Sequence, residues 1–68
     1  MINIFIGDIV EVIERDYWDG LPYYEGTKWE VISYGEDTDY YVKVRDPRQE
    51  PGYALLFEDN VKKVEERK

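Results

Sequence analysis

Sixteen carboxylates and seven tyrosines are the side chains here that could do chemistry, and the chain has no histidine or cysteine to work beside them. Without imidazole or thiol, the Ser-His and Cys-His arrangements of nucleophilic catalysis cannot be assembled. Ser33, the single serine, falls inside a strand-like run. Two carboxylates could act as acid and base, but sixteen acids in 68 residues meet by chance. That chemistry also needs a concave, water-excluding site, which so short a chain has little volume to enclose. Gly35-Glu36-Asp37-Thr38-Asp39 lacks the spacing and closing glutamate of an EF-hand loop, and no glycine loop is built to cradle phosphate. A zinc staple and a disulfide are equally out of reach. The reading is a protein that is not an enzyme and holds no metal or cofactor.

Ionic recognition is left. Sixteen acids against nine bases give a net charge of −7, and residues 1–61 alone carry −9, because Lys62, Lys63, Arg67 and Lys68 crowd the end. Such a surface repels a phosphate backbone and an anionic membrane, and favours a basic protein partner. Acidity by itself is also what a merely soluble small protein shows. The sharper expectation is a surface that a DNA-binding protein accepts in place of DNA. Alternate residues of one strand stand about 6.8 Å apart, whereas duplex DNA carries a charge per about 1.7 Å of axis. No single strand can match that density, so several elements must converge. The candidates are Asp16, Asp19 and Glu25 from one connection, Glu36, Asp37 and Asp39 from a hairpin tip, and Glu11, Glu14, Glu30, Glu58 and Asp59 from strands and turns. Tyr17, Tyr23 and Tyr24 interleave with them, each adding contact area and a hydrogen bond at small entropic cost. A second expectation, of another class, is an adaptor that takes an extended or proline-rich peptide through Tyr17, Trp18, Tyr23, Tyr24 and Tyr53, its acids choosing basic flanks. A structural subunit of a larger assembly is the plainest third.

The elements that must position these residues are β-strands. Lys28-Trp-Glu-Val-Ile-Ser-Tyr34 and Tyr40-Tyr-Val-Lys-Val-Arg45 are rich in β-branched and aromatic residues, alternate with a period of two, and flank five turn-formers, which predicts a hairpin. A hairpin alone is marginal in water and needs further strands to cover its apolar face. Ile9–Ile13 reads as one of them, with Val10 and Val12 on one face, after a turn at Gly7. Tyr53-Ala-Leu-Leu-Phe57 reads as another, with Tyr53, Leu55 and Phe57 sharing a face. Glu58-Asp-Asn60 follows as a short polar or 3-10 turn, then Val61-Lys-Lys-Val64 as the last strand. Arg15–Thr27, with two glycines and a proline, reads as a long loop over which Trp18 and Leu21 fold back as a lid, leaving some of its four aromatics outside. Asp46–Gly52, with two prolines, is a second loop, and Glu65–Lys68 is expected to fray. Met1–Ile6 has neither the basic start of a signal peptide nor the length of a membrane span, so it reads as a strand or lead-in and the protein as cytoplasmic. One small domain over residues 1–68 is the expectation, with eleven aromatics to thicken a thin core.

Five short strands, a long first connection, a tight central hairpin and a turn before the last strand resemble an SH3-like barrel over nearly the whole chain. Gly7-Asp-Ile-Val-Glu-Val12 is similar to the opening strand of SH3-like and KOW-type barrels, and Tyr53-Ala-Leu-Leu-Phe-Glu-Asp-Asn-Val-Lys-Lys-Val64 to the strand, 3-10 turn and valine-bearing strand that close them. The likeness extends to small acidic phage-encoded proteins of this build, among which DNA mimicry against the bacterial histone-like protein HU is known. That resemblance implies a basic nucleoid-associated partner, its inhibition, and residence in the host cytoplasm. Signalling SH3 domains are less similar. Arg15-Asp-Tyr-Trp18 stands where their Ala-Leu-Tyr-Asp-Tyr motif would be, Trp29 is single, and no proline precedes Asn60. Hairpin edge strands leave a homodimer open.

Overall fold

The computed structural model describes residues 4–34 and 41–64. Alternation builds its main sheet. Strand β1 (Ile9–Val12) buries Val10 and Val12 and turns Ile9 and Glu11 to the other face. The predicted central hairpin is present as β4 (Lys28–Tyr34) and β5 (Tyr41–Arg45), with Val31 opposite Val44. Their register shifts between Val31 and Ser33, a bulge that bends the strand. The hairpin tip, with Glu36, Asp37 and Asp39, lies outside the described residues.

Strand β6 (Tyr53–Phe57) pairs with β5, the 3-10 turn falls at Glu58–Asn60 as predicted, and β7 (Val61–Lys63) returns to β1. The five strands are antiparallel in the order β6-β5-β4-β1-β7. Val10, Val12, Val31, Val42, Val44 and Leu56 are completely enclosed on its inner face. Burying each such side chain stabilises the fold by roughly 1.5–3 kcal/mol. In β6 the inward residues are Ala54 and Leu56, so Tyr53, Leu55 and Phe57 do share a face, and it is the outer one.

One expectation changes. The connection Arg15–Thr27 is not a loop: β2 (Asp16–Trp18) and β3 (Leu21–Tyr23) form a second antiparallel hairpin, with Trp18 opposite Leu21. Its turn, Asp19-Gly20, has φ of 52° and 83°. Two successive positive φ angles are what a type I′ two-residue hairpin turn requires, and Asp-Gly is a favoured pair for it. Of the two expectations for the opening segment, a strand or a lead-in, its described part is the lead-in. Phe5–Asp8 is a turn in which the Asp8 amide donates to the Phe5 carbonyl at 3.0 Å and Gly7 takes a φ of +96°. Ile4, just before it, is buried in the core.

The hydrogen-bonded ladder is open: β6 and β7 are its edges, and no pairing joins them among the described residues. The β2–β3 hairpin instead lies against β6, without a ladder. Its inner face carries Trp18, Leu21 and Tyr23 onto the core, so the lid expected of Trp18 and Leu21 is present. Tyr17 and Tyr24 point outward, with Tyr17 60% exposed. No helix among the described residues is long and apolar enough to cross a membrane.

Candidate interaction surface

The predicted acidic residues do not converge as one field. On the outer face of the main sheet, Glu11 stands directly between Lys28 and Lys62 on its neighbouring strands. Glu30 accepts a hydrogen bond from Arg45 at 3.3 Å. With Lys43 added, cations outnumber anions on that face. Glu25 is 3.7 Å from Arg15, an exposed pair at the hairpin base. The Arg15 guanidinium also lies over the Tyr24 ring, and its bonding to Tyr17, then the charge of Glu25, raise its pKa.

Asp16 and Tyr23 leave the proposed contact surface altogether, because both are buried. Apart from Glu11, which has lysines opposite it but no ion pair, the exposed or half-buried acids without an ion pair among the described residues are Glu14, Asp19, Glu50, Glu58 and Asp59. Glu14, Glu58 and Asp59 share one end of the molecule, since the amides of Ile13 and Glu14 both donate to the Asn60 carbonyl at the close of the 3-10 turn.

Asp16 has a different task from the one its charge suggested. Its Oδ1 accepts from the Tyr17 amide at 2.7 Å and its Oδ2 from the Phe57 amide at 2.9 Å. Phe57 sits in a non-hydrogen-bonded pair with Tyr41, so its amide points away from β5, where an edge strand would otherwise show an open donor. One carboxylate closes that donor and pins two elements together. The consequence is at the surface: Tyr17 and Phe57, exposed by 60% and 44%, stand on backbone held to the same group. The Phe57 ring stacks on Tyr41 with centroids 4.7 Å apart. Outward aromatics on two elements tied by one carboxylate, with Glu58 and Asp59 following Phe57 in the turn, offer contacts suited to an extended chain bearing cations.

A second cluster gives the candidate Tyr23 a different role and joins it to Asp46, Arg48 and Gln49, which were not among the candidates. The Tyr23 hydroxyl donates to Asp46 Oδ2 and accepts from Gln49 Nε2 at 2.9 Å, while Gln49 also donates to the Trp18 carbonyl at 3.1 Å. Arg48 grips the same carboxylate with Nε at 3.0 Å and Nη2 at 2.8 Å, and its guanidinium lies over the rings of Tyr23 and Trp29. The Asp46 side chain is fully enclosed; these bonds, those from Arg48 above all, hold its pKa down to about 2. Burial first, and then the bond to Asp46, push the Tyr23 phenol up. The network satisfies buried polar groups and ties the hairpin to the Asp46–Gly52 loop. Its function is therefore architectural. The Asp46-Pro47-Arg48 spacing, with an Asx-type bond from the Arg48 amide to Asp46 Oδ1 at 2.9 Å, is the local signal that could have flagged it. Among the described residues, no group of three or more acidic side chains is placed to hold a metal ion.

Comparison with protein-family models, with characterised proteins and with solved structures finds no match to this chain.

Proposed function

We propose that the protein is a non-enzymatic interaction module of SH3-like build that recognises an extended, basic segment of a partner protein. Tyr17, Phe57 and Tyr41 supply the contact surface, and Glu14, Glu58 and Asp59 supply the rim that selects cations. The observation that carries this reading is the buried Asp16 carboxylate, which accepts from both the Tyr17 and the Phe57 amides and so anchors the backbone under two outward aromatics. The SH3-like build is supported by the strand order, by the hairpin inserted between β1 and β4, and by the 3-10 turn before β7.

NMR titration with a proline-rich peptide carrying arginine tests the reading. Amide shifts confined to Glu14–Trp18 and Phe57–Asp59, lost in the Tyr17→Ala, Phe57→Ala double variant, are expected. Shifts spread elsewhere, or none, would overturn it.

DNA mimicry towards a basic, HU-type nucleoid protein in a bacterial cytoplasm is the second reading. The net charge of −7 favours it, together with unpaired acids at one end of the molecule. Its footing is narrower than the sequence implied, since Glu11, Glu25 and Glu30 face bases and Asp16 is buried. It predicts displacement of DNA from a histone-like protein, abolished by salt of roughly 0.3–0.5 M, where the Debye length falls well below 10 Å.

A further inference from the structure

The aromatic surface continues along the outer face of β6 and changes sign as it goes. At one end are Glu58 and Asp59, in the turn that follows Phe57. Along the strand come Phe57, Leu55 and Tyr53, opposite Tyr41, Lys43 and Arg45 of β5. The Lys43 ammonium lies 4.3 Å from the centroid of the Tyr53 ring and has no carboxylate partner among the described residues. Arg45 beside it is shared with Glu30 through an exposed contact at 3.3 Å. Residues two apart on a strand are about 6.8 Å from each other, so Phe57 to Tyr53 spans roughly 14 Å, the reach of about four extended residues. Lys43 stands opposite Leu55 with its ammonium over the Tyr53 ring, so the carboxylates of the turn and the cation lie about four or five extended residues apart along a bound chain.

Building on the proposed peptide-binding reading, we infer that the occupant of this strip is an extended segment of mixed charge. Its basic end rests at Glu58 and Asp59, its apolar middle on Phe57 and Leu55, and an acidic end at Lys43. Charge complementarity selects that occupant over a uniformly basic one, which would set like charges against Lys43 and Arg45. Pairing of β6 with β6 of a second copy is obstructed at that edge by the hairpin lying against it.

Two synthetic eight-residue peptides separate the possibilities: Arg-Lys-Pro-Leu-Pro-Pro-Glu-Asp and Arg-Lys-Pro-Leu-Pro-Pro-Arg-Lys. Titrated by NMR at low salt, the native protein is expected to bind the first more tightly by roughly two- to fivefold, the scale of one exposed charge contact. Lys43→Glu should reverse the order, and its spectrum checks that the fold is intact. A nitroxide on the first peptide's basic end should broaden Glu58 and Asp59, and one on its acidic end Lys43. Equal affinity for both peptides, or an order unmoved by Lys43→Glu, overturns the charge-polarity inference while leaving peptide binding standing. Failure of both peptides to bind overturns both together.

Discussion

Removing the carboxylate of Asp16 leaves the Phe57 amide facing a hairpin that can no longer accept its hydrogen bond. Asp16→Ala is therefore expected to cost about 1–3 kcal/mol, the scale of a stranded buried polar group, read from denaturant unfolding. Phe57 amide exchange should quicken more than that of residues in β1, because the loss begins at the hairpin. Asp46 acts in a different pH range. Its folded pKa of about 2 lies below the ordinary carboxylate value near 3.9, so its stabilisation is present above pH 4 and is lost as pH falls through 2. Acid titration of native protein and Asp46→Asn should differ there: the variant starts less stable and loses less. Tyr23 has the opposite sign. Its folded pKa is raised, so the contribution is complete below pH 10 and fades as pH rises beyond it, and Tyr23→Phe should flatten that alkaline limb.

At the level of elements, the β2–β3 hairpin is specified by two residues. Gly20 takes a φ of +83°, and no heavy atom lies within 4 Å of the position a Cβ would occupy. Gly20→Ala should thus cost roughly 1 kcal/mol from backbone conformation alone, without a clash, as measured by urea unfolding. Val42→Ala, on β5, is expected to cost more, about 1–3 kcal/mol, because its side chain is completely buried between neighbouring strands. The first variant loosens the element that carries Tyr17 and should weaken peptide binding out of proportion to its effect on stability. The second removes scaffold and should change affinity only as it changes the folded fraction.

For the whole molecule, charge layout outweighs net charge. Neutralising Glu14, Glu58 and Asp59 together as Gln, Gln and Asn should leave stability within about 0.5 kcal/mol per position, since none of the three is buried or ion-paired. It should nevertheless lower affinity for an arginine-bearing peptide several-fold, seen in the same titration. The same changes made at Glu11 and Glu30, whose neighbours are lysines and arginine, should have little effect on that binding. If instead all five acids matter alike, and salt erases binding steeply, the polyanion reading takes precedence.

Strand identity was legible because a half-buried strand writes its burial into a period of two: β1, β4, β5 and β6 and the Glu58–Asn60 turn fall where alternation and turn chemistry put them. The β2–β3 hairpin was present in the letters too, as Trp-Asp-Gly-Leu, but its three-residue strands are too short for periodicity to outweigh two glycines and a proline. The absence of histidine and cysteine excluded their chemistries from composition alone. Tertiary structure decided what each charge is for. Asp16 reads as a contact-surface acid, and Asp46 only as the start of a loop, until segments distant in sequence bring them an amide 41 residues away and a phenol 23 residues away. A carboxylate's role depends on which donors and cations reach it across the fold, and local sequence carries no record of those distances.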